Sequence, residues 1–336
     1  MANGAWMRGL SVIALGLALA GPVSAQSGGT RHYRVATGSE GGTYYPVGVA
    51  LALVAKINLE GSHGIDIEGV PSAGSVDNVR LLREDEAQFA ILQTMVGRWA
   101  HDGVAPFDTV GPQENLRAVT MLWPDAEHFL ILSELATSGT IDDLANLTGR
   151  GFSMGQLGSG TEYTNRFLFG NYGLDYESWS PVFLSFQETD RALQAGEVAG
   201  TNINSGVGVA SVAQVMSAMG DRLALLRVTD EQFTRLDGGT GLVQTITIPA
   251  DTYAGQTESI QTIAQPNFLA VNADVSAEDV YLFTRTMFEN LPYLCEIHAA
   301  GCALSLAHAI DGLPVPLHPG AERYFREVGL IPTDTE

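Results

Sequence analysis

Two glycine-rich loops carry the groups best suited to hold a small oxygen-bearing molecule. The first reads GSEGGTY over residues 38–44 and the second reads GSGT over residues 158–161; each joins an apolar strand to a helix. The first N–H groups of a helix have no partner within the helix, and the helix dipole places positive potential there. Each loop therefore predicts a site for an anionic or carbonyl oxygen. GSGT is also a common turn with a helix N-cap, so it is the pair of loops that favours a ligand site.

Other catalytic and cofactor patterns are weak in this sequence. Residues 151–155 read GFSMG and fit the G-x-S-x-G nucleophile elbow, but Ser153 is expected inside a strand rather than at the strand-to-helix turn. The first loop lacks the G-x-G-x-x-G dinucleotide pattern, and there is no P-loop. The histidines are scattered without an H-x-x-x-H or H-x-H pair, so we expect no metal site and no cofactor. We expect no catalysis, and a secreted α/β hydrolase that uses Ser153 is the alternative.

The two cysteines, Cys295 and Cys302, are close together in the sequence. On an unbroken helix they would lie too far apart to bridge, but Gly301 allows the chain to turn between them. A disulfide is favoured for a protein in an oxidising compartment. Two free thiols, or a Cys–His metal site that includes His298, are the alternatives.

Charge and the amino-terminal residues indicate where the protein works. The 336 residues include 38 Asp and Glu against 17 Lys and Arg, a formal net charge of −21, which argues against binding nucleic acid. Arg8, an apolar run at residues 10–20 and small residues before Gln26 predict a secretory signal peptide over residues 1–25. That apolar run is too short to span a bilayer, so we expect a soluble periplasmic protein.

Strand and helix patterns alternate along the chain and predict an α/β fold. Because the two loops lie far apart in sequence, we expect two α/β lobes that face one ligand cleft. Residues 116–123 and 128–133 are predicted as two strands joined by a turn at 124–127. We place lobe 1 at residues 26–123 and 265–336 and lobe 2 at residues 124–264. A hinge of two crossing strands is expected near residues 122–130 and 264–270.

Several stretches resemble one family, in the same order along the chain. They are RVATGSEGGTYYPVGVALA at 34–52, VPSAGSVDNVRLLREDEAQFAILQ at 70–93, LWPDAEHFLIL at 122–132 and MGQLGSGTEYTNRFLFGNYGL at 154–174. DGL at 311–313 and PLHPGA at 316–321 match a C-terminal signature. The sequence is similar to the TRAP-associated extracytoplasmic immunogenic (TAXI) family, the solute receptors of tripartite ATP-independent periplasmic (TRAP) transporters.

The resemblance implies a two-lobed, type II-like periplasmic-binding-protein fold whose lobes close on a ligand. The ligand-binding residues that it implies are Ser39, Gly42, Thr43, Tyr44, Gly74, Ser75, Val76, Gln93, Ser159, Gly160 and Thr161. Two departures from the family pattern add candidates. Glu40 in the first loop could pair with an amine. Asn202 and Asn204, at alternate strand positions, point the same way and either bind a polar ligand or face solvent or cap the next helix.

The resemblance also implies the function. The protein would be a periplasmic solute-binding protein that binds a small organic anion or amino acid, glutamate-like or a carboxylate. It would deliver this ligand to the membrane permease subunit of a TRAP transporter. A ligand-sensing protein of the same fold, which signals without transport, is a further alternative.

Overall fold

One mixed β-sheet contains every strand of the described part of the chain. The structure, a computed structural model, describes Met1 and residues 29–332, so the predicted signal peptide lies outside the described residues apart from Met1. The strands are β1 (Arg31–Ala36), β2 (Ile65–Val70), β3 (Phe89–Gln93), β4 (Leu116–Leu132), β5 (Gly151–Ser153), β6 (Ser180–Val182), β7 (Gly200–Ser205), β8 (Leu223–Leu225), β9 (Gln244–Ile248) and β10 (Ile260–Asn272). Their order is β2-β1-β3-β10-β4-β7-β5-β6, while β8 pairs with β4 and β9 pairs with β10.

The helices alternate with these strands, as the sequence predicts. They are α1 (Tyr44–His63), α2 (Ser75–Arg83), α3 (Thr94–Asp102), α4 (Gly160–Tyr172), α5 (Phe186–Ala195), α6 (Ala210–Met219), α7 (Asp230–Asp237), α8 (Ala277–Glu289), α9 (Leu291–Ile297) and α10 (Pro319–Glu327). Within each half of the sheet the outer strands are parallel, β1 to β2 and β3, and β5 to β6 and β7. Parallel neighbours need crossover connections, and the helices supply them. Among the described residues, no helix is both long and apolar enough to cross a membrane.

Two long antiparallel strands, β4 and β10, join the two halves of the sheet. The prediction of two strands with a turn at residues 124–127 is wrong, because β4 continues through Pro124 to Leu132. Pro124 lies opposite Pro266 of β10, and the register shifts directly after this pair. Since neither proline has an N–H to donate, a strand irregularity at this point accommodates both of them.

The buried apolar side chains form separate cores on either side of this crossing. We call lobe 1 the part that carries β1–β3, α1–α3 and α8–α10, and lobe 2 the part that carries β5–β9 and α4–α7. The cores of lobe 1 come from residues 35–123 and 268–325. The cores of lobe 2 come from residues 129–263. The predicted lobe boundaries fall in the gaps between these ranges, and their exact positions stay a prediction.

The cysteines form a disulfide in lobe 1. Cys295 of α9 is bonded to Cys302, which follows a turn through Gly301. A Cβ atom at Gly301 would overlap the backbone carbonyl group of Leu294, so glycine is required where the chain folds back. The structure thus favours the disulfide over the free thiols, and no cluster of three or more metal-ligating side chains occurs in the described residues.

Candidate ligand site between the lobes

A cavity lies between the lobes, where β3 and β7 end and four helices begin. Its volume is about 50 Å³, so it has room only for a small molecule. It is lined by Gly38, Ser39, Gly42, Thr43, Tyr44, Ala73, Gly74, Ser75, Gln93, Asp125, Gln156, Ser159, Gly160, Thr161, Ser185, Phe186, Asn204 and Ser205. Both lobes therefore contribute, and β4 adds Asp125 from the crossing.

The helices that begin at the cavity are α1 and α2 of lobe 1 and α4 and α5 of lobe 2. Ser159 caps α4 by accepting a hydrogen bond from the Glu162 N–H at 3.0 Å. Ser185 and Glu188 form a capping box at the start of α5. A cap satisfies only some of the free N–H groups at a helix end. In the described part of the chain no Lys, Arg or His side chain lines the cavity, so its attraction for anions comes from the helix ends.

Direct hydrogen bonds close the two lobes on each other beside the cavity. Thr43 of lobe 1 donates its N–H to the Ser205 Oγ at 3.1 Å, and its own Oγ1 accepts from the Gly206 N–H at 3.2 Å. The Gln93 side-chain amide donates to Oδ1 of Asn204. The backbone N–H of Asp77 donates to the Gly158 carbonyl oxygen at 3.0 Å. The structure is therefore a closed arrangement in which polar groups of both lobes meet.

Close approach of the lobes depends on small residues. A Cβ atom at Gly160, the first residue of α4, would overlap the Gln93 side-chain amide of lobe 1. Gly74 has a φ of 121°, which favours glycine, and its Cα faces Ser159 across the cleft. A larger residue at Gly160 would hold the lobes apart.

Asp125 places a carboxyl group in the cavity lining. Its side chain is 1% exposed, and its Oδ1 accepts a hydrogen bond from the Trp123 indole N–H at 2.7 Å. Burial raises the pKa of Asp125 to about 7, while the hydrogen bonds from Trp123 and Asn267 work in the opposite direction. A buried charge without a counterion is costly, and the protein supplies only neutral partners.

Glu127 lies two residues further along β4, behind Asp125. Its Oε2 accepts from the Asn202 amide at 2.6 Å, and its Oε1 accepts from the amides of Asn204 and Gln265 at 2.6 and 3.2 Å. Burial raises the pKa of Glu127 to about 8, helped by the charge of Asp125 and opposed by the three amides. Three neutral amides thus replace water around a fully buried carboxyl group.

Three arginines, Arg98, Arg166 and Arg191, lie outside the cavity lining. Arg98 pairs with Asp102 at 2.5 Å, and its side chain is exposed. Arg166 pairs with Glu162 at 3.1 Å and lies over the ring of Phe183. Arg191 is exposed and donates to a backbone carbonyl of its own helix. None of them lines the cavity.

Most of the predicted ligand-binding residues come together in this cavity. They are Ser39, Gly42, Thr43, Tyr44, Gly74, Ser75, Gln93, Ser159, Gly160, Thr161 and Asn204. The other three do not line it. Glu40 is exposed on the first loop, and Val76 packs its side chain on the core of lobe 1. Asn202 lies behind the lining because its amide is engaged by Glu127 and Asn165.

The structure adds lining residues that the sequence did not single out. Asp125 was assigned to a turn because Pro124 reads as a strand breaker. Ser185 and Phe186 lie at the start of α5, where S-x-x-E at 185–188 is a readable capping box. Gly38, Ala73 and Ser205 are direct chain neighbours of residues that were predicted, and Gln156 lies three residues before Ser159.

Ser153 and His128 lie within the fold and do not line the cavity. Ser153 lies on β5 as predicted, fully buried, with its Oγ at 2.6 Å from the Thr189 hydroxyl. His128 bonds through Nδ1 to the Ile203 carbonyl at 2.9 Å and through Nε2 to the Tyr253 hydroxyl at 2.7 Å. Burial lowers the pKa of His128 to about 4, so it is neutral and structural at neutral pH. This geometry gives no support to a nucleophilic serine.

Solved structures with a similar arrangement define the class of fold. PhnD1 from Prochlorococcus marinus, in complex with methylphosphonate, is 12% identical, with 89% of this chain and 99% of that chain aligned at a TM-score of 0.55. A binding protein component of an ABC phosphonate transporter from Pseudomonas aeruginosa is 10% identical, with 81% of this chain and 79% of that chain aligned at a TM-score of 0.50. The fold is that of the two-lobed periplasmic binding proteins, as the sequence predicts.

The family follows from the sequence itself. Residues 35–329 match the model of the NMT1-like family, and the chain belongs to that family. The match spans both lobes and the whole cavity lining, from Gly38 to Ser205.

Proposed function

We propose that this protein is a periplasmic solute-binding protein that captures a small organic acid or amino acid. The observation that carries the proposal is the cavity between the lobes, where four helix N-termini from both lobes meet around hydroxyl and amide side chains. Such a site holds an anionic group without a basic side chain. The predicted signal peptide supports export to the periplasm.

Lobe closure is the proposed mechanism. The bonds of Thr43 to Ser205 and of Gln93 to Asn204 exist only when the lobes meet. A ligand that contacts the helix ends of both lobes binds the closed form better than the open form, and therefore shifts the population towards it. We place the hinge in β4 and β10, where Pro124 and Pro266 face each other.

We further propose that the partner is a membrane permease of the TRAP type, as it is for the TAXI proteins. The support is the resemblance of the two loops and the C-terminal signature to that family. The similar structures from ABC-type systems share the fold at 10–12% identity, so an ABC permease is the alternative partner. Uptake in vesicles that contain TRAP membrane subunits, with and without this protein, separates the two. A protein that binds the ligand but supports no uptake with either permease would be a sensor.

The first experiment is a thermal-shift screen of residues 26–336. Its compounds are glutamate, glutamine, 2-oxoglutarate, C4-dicarboxylates, short monocarboxylates and methylphosphonate. A ligand at 100 times its Kd adds about 2.7 kcal/mol of stability, a shift of several degrees. A selective shift supports the receptor function. The absence of a shift with every compound, repeated by calorimetry, would contradict it.

A further inference from the structure

Asp125 is a buried acid in a cavity that otherwise attracts negative charge. We propose that Asp125 is the specificity-determining residue that binds the protonated amine of the ligand. The solute is then a zwitterion, an amino acid or an aminophosphonate, whose anionic end lies at the helix N-termini. This inference rests on the proposed function and names the class of solute that the site accepts.

The first argument is the missing counterion. Asp125 is 1% exposed and lines the cavity, yet the groups that hydrogen-bond to it, the Trp123 indole and the Asn267 amide, are neutral. A buried carboxylate without a positive partner is costly, and such a group otherwise takes up a proton. Because no Lys, Arg or His lines the cavity among the described residues, the ligand is the remaining source of positive charge for an ionised Asp125. An ammonium group supplies it together with hydrogen-bond donors.

The second argument is the separation of the two kinds of charge. The N-termini of α2 and α4 meet across the cleft, where Gly74 faces Ser159. They offer backbone N–H groups to an anion. Asp125 lies on the crossing strand β4, beside the Tyr44 ring that packs on Trp123 with centroids 5.8 Å apart. A single small zwitterion that spans the cavity satisfies both ends, whereas a dicarboxylate would place its second carboxylate near Asp125.

The third argument is the set of groups that face Asp125. The titratable ones are Glu127 on its own strand and Tyr44 at the start of α1, and burial together with the charge of Asp125 raises the pKa of the Tyr44 hydroxyl. The uncharged polar groups around the pair are Gln265 and Asn267 of β10, Asn202 and Asn204 of β7 and Thr164 of α4. None of these groups is basic. The protein therefore offers no counterion to an ionised Asp125, and a positive group of the ligand would supply one.

The test is calorimetric titration with compounds that differ only in the amine. The sets are L-glutamate with 2-hydroxyglutarate and 2-oxoglutarate, L-alanine with L-lactate and pyruvate, and aminomethylphosphonate with methylphosphonate. In the natural protein the amine-bearing member of at least one set should bind at least tenfold more tightly. Its affinity should fall as the pH drops below about 7, because protonated Asp125 no longer attracts an ammonium group.

Asp125→Asn should remove this preference without removing the cavity. We expect the amine-bearing compound to lose at least tenfold in affinity, and the matched hydroxy or oxo acid to change by less than about threefold. Glu197→Gln removes an exposed carboxylate outside the cavity lining and is the matched control, which should keep the preference. Thermal unfolding checks that each variant is folded, and the comparison within the natural protein does not depend on any variant.

The outcomes separate this inference from the proposed function. Equal or tighter binding of the hydroxy or oxo acid by the natural protein would overturn the role of Asp125 and leave solute binding intact. An unchanged preference in folded Asp125→Asn would also overturn it. If no compound of any set binds, the proposed function fails and this inference fails with it.

Discussion

Glu127→Gln should change how the stability of the ligand-free protein depends on pH. Glu127 is fully buried, and its pKa is raised from 4.5 to about 8. Between these values the folded state holds a proton that the unfolded state has released, so stability falls as the pH rises. At about 1.4 kcal/mol per pKa unit, this residue lowers the unfolding free energy by about 3 kcal/mol when the pH reaches 7. This loss is fully developed only above pH 8.

Glutamine keeps the shape of Glu127 and cannot ionise, so this part of the pH dependence should disappear. Chemical or thermal unfolding of residues 26–336 at pH 5 and pH 7.5 measures it. The natural protein should lose roughly 3 kcal/mol more than Glu127→Gln over this interval, which corresponds to about 5 °C in Tm. Both proteins keep the smaller contribution of Asp125, whose pKa is raised to about 7.

Glu40→Gln is the matched control for the loss of one carboxylate. Glu40 is exposed, so the control should follow the natural protein at every pH. The reasoning is refuted if the curves of the natural protein and Glu127→Gln stay parallel from pH 5 to pH 7.5. Glu127→Gln could be less stable at every pH and still change less in stability between pH 5 and pH 7.5. That result would reflect a poorer fit of the amide and would agree with the reasoning.

Three further predictions concern other parts of the molecule. Gly160→Ala should weaken ligand binding roughly ten- to hundredfold, since the new Cβ atom keeps the lobes apart; Gly170→Ala, in the same helix with open space around it, should bind as the natural protein does in the same titration. Reduction of the Cys295–Cys302 disulfide should lower the unfolding free energy by about 2 kcal/mol and leave affinity unchanged; a loss of affinity would contradict this. Ser153→Ala should cost about 1 kcal/mol because the buried Thr189 hydroxyl loses its partner, and it should leave ligand binding intact in calorimetry.

The sequence was sufficient for the fold because the fold depends on local signals, and the family resemblance supplied most of the predicted lining residues. Glycine-rich loops before apolar helices mark the starts of α1 and α4. The alternation of Asn202 and Asn204 on β7 correctly predicted that both side chains point the same way, and the structure confirms this by placing both amides on Glu127. Periodicity therefore predicts direction well, even where the partner is unknown.

The rest depends on contacts that are distant in sequence. Pro124 reads as a strand breaker, yet β4 continues through it because it lies opposite Pro266, where the register of β4 and β10 shifts. That error hid Asp125, which becomes visible as a site residue only when β4 is one strand. Strand β9 and helix α7 were not predicted either. For α7 a local signal is present, because T-x-x-Q at 229–232 is a capping box. Glu40 was predicted from its position in the first loop, and the structure leaves it exposed.

The most direct test of the account is the calorimetric titration of residues 26–336 with the strongest compound from the screen, in parallel with Gly160→Ala and Gly170→Ala. The account predicts saturable binding of one molecule per chain in the natural protein and in Gly170→Ala, and binding at least tenfold weaker in Gly160→Ala. Equal affinity in all three would contradict a site between the closed lobes, and the absence of binding to every compound would contradict solute capture itself.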